Sequence, residues 1–196
     1  MAIRDIIRMG DPRLLAVSDP VPGHDDPEVK DLVQDLMDTV ASVGGAGLAA
    51  PQIGVLKRVF VYSVPPGRSL DTEEKDPPFT MKALLNPSWE PVGTEQSVVW
   101  EGCLSIPGLR GAVPRPERIR YRGTDMDGNP VEVETGGFHA RVFQHEYDHL
   151  QGILYPMRME DMRLFGFNEE LSDLARAQQP VQTEAETDVE TEAARG

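Results

Sequence analysis

The chain has one cysteine, Cys103, so no internal disulfide framework holds it together. Bases are scarce: 19 Lys and Arg stand against 33 Asp and Glu, a formal charge of −14. That balance argues against a broad basic face for nucleic acid. Aromatics make up only 6% of the residues, while 18 Gly and 17 Pro imply many loops and turns. No apolar run approaches the ~18 residues of a membrane helix. The opening stretch, MAIRDIIRMGDPRLL, has charges where a secretory signal has its apolar core. These absences point to a soluble, cytosolic protein with one free thiol. Its 196 residues make one domain, or one domain with a tail, and suffice for one sizeable core.

The acid excess is uneven. Residues 177–196 hold Glu184, Glu186, Asp188, Glu190 and Glu192 against Arg195, with no aromatic residue. Such a segment buries too little to offset its ordering entropy and is expected to be a disordered acidic tail. The catalytic domain is then expected over residues 1–176.

Asp26-Pro27 predicts a helix start, since Asp can cap and Pro suits the first helical position. Val29, Leu32, Val33, Leu36, Met37 and Val40 recur at helical spacing, and Gly44-Gly45 stops the run. Short strands are expected at Val59–Tyr62, Ala83–Asn86, Ser97–Trp100, Arg118–Tyr121 and Val131–Val133. Asp127-Gly128-Asn129 supplies a turn, and prolines mark a long loop between Val64 and Phe79. A buried helix is expected over Phe138–Leu150. A last amphipathic helix is expected over 160–176, with Met162, Phe165, Leu171 and Leu174. The order predicts an α+β fold: short antiparallel strands around a buried central helix, flanked by an N-terminal and a C-terminal helix.

Residues 144–149, Gln-His-Glu-Tyr-Asp-His, carry the most information. His145 and His149 are one helical turn apart on one face, so both imidazoles can reach one ion. Glu146 beside them can accept a proton from metal-activated water. Two histidines and a carboxylate inside a buried helix would be costly without a shared partner. A catalytic site needs a third protein ligand. The position six residues after His149 is Tyr155, which does not supply a third histidine. Glu169 or Glu170 could serve as in one zinc-peptidase class, and Cys103, His139 and His24 are further candidates. Cys103 is the better choice, because a lone cysteine flanked by Gly102 and a proline turn is oddly placed for a mere core residue. In Gly45–Gly54, small residues allow close backbone approach, and Gln52 offers an amide N–H suited to an oxyanion.

Gly45–Gln52, Glu101–Ser105 and Gln144–His149 together resemble the three motifs of peptide deformylases, in that family's order and approximate spacing. The similarity runs from Ile6 through Tyr155. It implies a metal-dependent hydrolase that removes the formyl group from the starting methionine of new polypeptides, releasing formate. It implies Cys103, His145 and His149 as metal ligands and Glu146 as general acid/base. Gln52 and the Leu104 backbone N–H would polarise the formyl carbonyl. Gly47 would offer backbone to the peptide, Arg110 would stand near the entrance, and Phe138 and Val142 would line the methionine pocket. The ion implied is Fe²⁺, with Zn²⁺, Ni²⁺ or Co²⁺ as substitutes; the ligand types alone suit both iron and zinc. An iron-bound Cys103 thiolate would be the weak point under oxygen.

Ala46 departs from the family, which often has a larger aliphatic residue there, and Pro51 is a common variant. From Pro156 to Ala177, three Arg stand against five acids. That sign opposes RNA, so N-formylmethionyl nascent peptides are expected as substrate, with transient ribosome proximity but no strong RNA binding. The expected setting is a bacterial cytoplasm, without membrane attachment, and a monomer. Two rival readings stand beside it. A metallopeptidase using Glu169 or Glu170 would keep its metal without Cys103. A non-catalytic binding protein would be expected to have lost a ligand, Glu146 or Gln52, and none is lost.

Overall fold

The computed structural model describes residues 2–66 and 77–171. Most of the loop expected between Val64 and Phe79, Leu174, and the whole of the expected 177–196 tail lie outside them.

Helix α1 spans Pro27–Val43. The Asp26 carboxylate accepts the Glu28 and Val29 N–H groups, which would otherwise lack partners at the helix start. Gly44 ends it at φ 70°, a conformation that favours glycine. The strands are β1 (Gly47–Ala49), β2 (Val59–Val64), β3 (Phe79–Pro91), β4 (Gln96–Cys103), β5 (Ile106–Pro116), β6 (Arg118–Thr124), β7 (Pro130–Gly136) and β8 (Phe165–Phe167). Helix α2 spans Gly137–Leu150, between β7 and β8. They form an antiparallel five-stranded sheet, β1-β2-β3-β6-β7, and a three-stranded sheet, β4-β5-β8.

Every residue of β2 is buried because both faces of its sheet are covered. Val59 and Val61 pack with Val29, Leu36 and Val40 of α1. Phe60 and Tyr62 point the other way and pack with Ala140, Phe143 and Leu150 of α2. Helix α2 therefore turns an apolar side to the five-stranded sheet. Its opposite side bonds the smaller sheet: Arg141 donates to the carbonyls of Ser97 and Val113. The site helix is held on two sides, as the α+β expectation required.

Two expectations need correction. The C-terminal helix over 160–176 does not start where expected. Met162–Leu164 is a 3-10 turn, and β8 pairs with β5 at Leu109–Gly111. Helical residues begin at 168 and are followed only to 171. Phe165 enters the cluster of Ile106, Val113 and Tyr155, whereas Met162 stays exposed, so core contact set the strand against the helical spacing. Strand β5 was not among the expected strands, and the proline turn expected after Cys103 falls at its start, Ile106-Pro107. Strand β8 reaches only residues 109–111, so Pro107, Pro114 and Pro116 lie beyond its reach, where β5 is paired on the β4 side alone and a proline is tolerated.

Candidate metal centre

The centre forms where the end of β4 meets α2. The β4–β5 register shifts between Gly102 and Cys103, and this irregularity turns the chain at the thiol. Cys103 Sγ lies 3.3 Å from His149 Nε2. The ligand atoms of Cys103, His145 and His149 all lie within 4.8 Å of one another. Among the described residues, no other group of His, Cys, Asp or Glu clusters in this way. Glu169 and Glu170 are outside it. His139 instead bonds the Tyr121 hydroxyl at 3.0 Å within the aromatic cluster, and His24 lies against the turn at Gly128.

One thiolate and two imidazoles within this span fit a divalent metal of the zinc or iron type. Burial, then the charge on His145, pushes the His149 imidazole well below its usual range, toward the neutral form a metal binds. His145 Nδ1 donates to Glu101 Oε2 at 2.9 Å, which leaves Nε2 free for an ion.

Sequence reasoning missed what holds Glu101. Burial alone would raise its carboxyl, but hydrogen bonds from Arg115 and His145 hold it well below the usual carboxylate range. Arg115 grips Glu101 at 2.6 and 2.9 Å and reaches Asp148 at 2.8 Å. Arg141 adds a bond to Glu101 at 2.8 Å, and Arg158 clamps Asp148 at 2.7 and 3.2 Å. Glu101, Arg115, Arg141 and Asp148 are all buried. Asp148 lies within the metal motif, three residues after His145, which was the available signal. Arg115→Met would leave Glu101 and Asp148 each short of a buried partner. The expected cost is about 3–5 kcal/mol, or a melting temperature lower by roughly 10 °C for a domain of this size. A thermal melt showing no loss would contradict the role given to this network.

Glu146 is buried, and its Oε2 has no hydrogen-bond partner among the described residues. Burial pushes its carboxyl up to about 7, near the value that suits proton exchange in neutral solution. Gln52 is fixed at both ends of its amide. Its Oε1 accepts the Ala49 N–H at 2.8 Å, and its Nε2 donates to Ser105 Oγ at 3.2 Å and Cys103 Sγ at 3.5 Å. Ser105 is fully buried and is a second residue the sequence reading missed.

Gly47 faces Glu146 so closely that a methyl group there would overlap the carboxylate. Ser63 N–H bonds the Ala46 carbonyl, so the alternation of the ladder turns the backbone groups of Gly47 the opposite way. A cavity of about 450 Å³ opens beside the ligands. Gly47, Gln52, Cys103, Leu104, Arg110, Phe138, Val142, His145 and Glu146 all line it, and His149 lies buried below. The arrangement can hold an ion, move a proton at Glu146 and donate hydrogen bonds to a nascent negative charge.

Residues 3–164 match the family model described as polypeptide deformylase. Peptide deformylase 2 of Ralstonia nicotianae is 50% identical over 168 residues, 85% of this chain and 93% of that one. Peptide deformylase 1 of Nitrosomonas europaea is 49% identical over 170 residues, covering 86% and 94%. A class I type b peptide deformylase from Acinetobacter baumannii, solved with Met-Ala-Ser bound, superposes with a TM-score of 0.72 at 30% identity. That superposition covers 81% of this chain and 99% of the other.

Proposed function

The chain belongs to the polypeptide deformylase family, hydrolases that remove the formyl group from the N-terminal methionine of new polypeptides, and from that premise we propose which residues do the work. Cys103, His145 and His149 hold one divalent ion, which is Fe²⁺ in the cell and can be replaced by Zn²⁺, Ni²⁺ or Co²⁺. The ion supplies Lewis acidity, which makes water acidic enough to attack at neutral pH. Glu146 takes the proton from the attacking water. The Gln52 amide and the Leu104 backbone N–H donate to the oxygen of the formyl group as it gains charge. Glu146 then returns its proton to the leaving amine, and formate departs. Phe138 and Val142 receive the methionine side chain, Gly47 offers its backbone to the peptide, and Arg110 stands at the entrance.

The observation that carries this reading is the convergence of three ligand atoms within 4.8 Å beside the buried Glu146. The structural relative solved with Met-Ala-Ser supports a methionyl peptide in the cleft. We place the enzyme in a bacterial cytoplasm as a monomer that takes its substrate near the ribosome without strong RNA binding; none of the described helices is long and apolar enough to cross a membrane. The test is formate release from formyl-Met-Ala-Ser by anaerobically purified protein loaded with Fe²⁺ or with Zn²⁺. Turnover by the iron form at least matching the zinc form is expected. Metal-loaded protein that releases no formate would overturn the reading.

The close approach of Gly47 to Glu146 adds a second test. Gly47→Ala would displace the Glu146 carboxylate by a fraction of an ångström or more. A misplacement of that size is expected to lower kcat/KM on the order of 10²-fold. Metal content, measured alongside, should stay at one ion per chain. Full activity in this variant would show that the carboxylate position is not critical.

A further inference from the structure

Strand β4 is an outer strand, paired on one side with β5. The cavity is lined by Trp100–Leu104 on this side and also by residues 44–47. An unpaired strand edge is a template for an extended peptide. A substrate whose formyl end lies by Cys103 must leave along β4 toward Trp100. It therefore runs antiparallel to β4, which itself runs toward Cys103.

Side chains of such a peptide alternate between faces. The first enters the pocket at Phe138 and Val142, on the α2 side that Glu101 shares. The second points to the opposite face, beside Gly102 and its cross-strand partner Arg110. The third turns back inward. The fourth points outward again, about 10 Å along the strand at ~3.3 Å per residue, where Trp100 stands. Trp100 lines the cavity and is 44% exposed, and Val98 beyond it on the same face is 62% exposed. Their cross-strand partners, Ala112 and Pro114, are also apolar. A large ring at the cavity mouth, on the substrate's path, offers contact area at low entropic cost.

We propose that Trp100, with Val98, forms a subsite for an apolar side chain at the fourth residue of the formylated peptide. Nascent chains with a bulky apolar fourth residue are then processed in preference to those with glycine there. This inference rests on the deformylase reading of the cavity. It makes Trp100 a specificity residue, separate from the groups that act on the formyl carbon.

The test compares kcat/KM for formyl-Met-Ala-Ser-Leu-amide and formyl-Met-Ala-Ser-Gly-amide with the metal-loaded full chain. The ratio is read within each enzyme, so a general change in activity cancels. Wild type should prefer Leu about fivefold, the gain expected when roughly half of one leucine side chain leaves water, and the gain should appear in KM. Trp100→Ala should bring the ratio to about one, and Trp100→Phe should retain part of it. A ratio near one in wild type, or one that Trp100→Ala leaves unchanged, overturns the subsite. A preference that vanishes as enzyme concentration rises would put a second copy of the chain over Trp100 and overturn it too. No formate from either peptide, nor from formyl-Met-Ala-Ser, overturns the deformylase reading and the subsite with it.

Discussion

Glu146→Ala is expected to lower formate release on the order of 10²–10⁴-fold, the share of a positioned acid/base. The metal should remain, because Glu146 is not among the three clustered ligands. Its surroundings explain why so much rests on one carboxylate. The group is buried, one oxygen lacks a partner, and Gly47 approaches it from the other wall. Burial pushes the Glu146 carboxyl up to about 7, so it can take and return a proton in neutral solution. Glu146→Gln is the sharper variant, since it keeps the shape and removes the base. Its kcat should fall nearly as far as that of the alanine variant. Single-turnover measurements on both, with metal content determined on the same samples, separate loss of proton transfer from loss of the ion. Normal turnover in a metal-loaded Glu146→Gln would remove Glu146 from the chemistry.

Cys103→Ala should lose both the ion and formate release. The thiol is the only sulfur in the ligand group, and its removal leaves two imidazoles, too few for a stable catalytic site. Cys103→Ser discriminates further. A hydroxyl is a much poorer ligand than a thiolate for zinc or iron, so this variant too should bind metal weakly. The metallopeptidase alternative, with Glu169 or Glu170 as third ligand, expects metal binding to survive in both variants. Metal content by elemental analysis after dialysis decides between them. Retention of a full equivalent in Cys103→Ser would contradict the proposed ligand set.

Local chemistry made part of this protein legible from its residues. Asp26-Pro27 and Gly44 bound α1 because caps act within one helical turn. The His145–Glu146–His149 spacing is a property of one helix and needs no knowledge of the rest. The third ligand was harder, because β4 and α2 meet only in the folded chain. By residue patterns alone, Cys103, two glutamates and two other histidines competed; the odd placement of the cysteine favoured it, and the family resemblance then implied the same residue. The buried network of Glu101, Arg115, Arg141 and Asp148, with the exposed Arg158 at its rim, stayed invisible for the same reason. Its members are scattered over β4, β5, α2 and the turn after it. Strand β8 was misread because Phe165 and Leu171 suit a helix by spacing, while pairing with β5 outweighed that preference. The proline after Cys103 read as a turn signal, yet Pro107 lies in β5, at a point that β8 does not reach.

The most direct test of the account is X-ray absorption at the metal edge of the zinc-loaded protein. The proposed ligand set gives one sulfur at about 2.3 Å and two imidazole nitrogens at about 2.0–2.1 Å. A coordination shell of nitrogen and oxygen alone, with no sulfur, would contradict Cys103 as a ligand and with it the centre on which the mechanism rests.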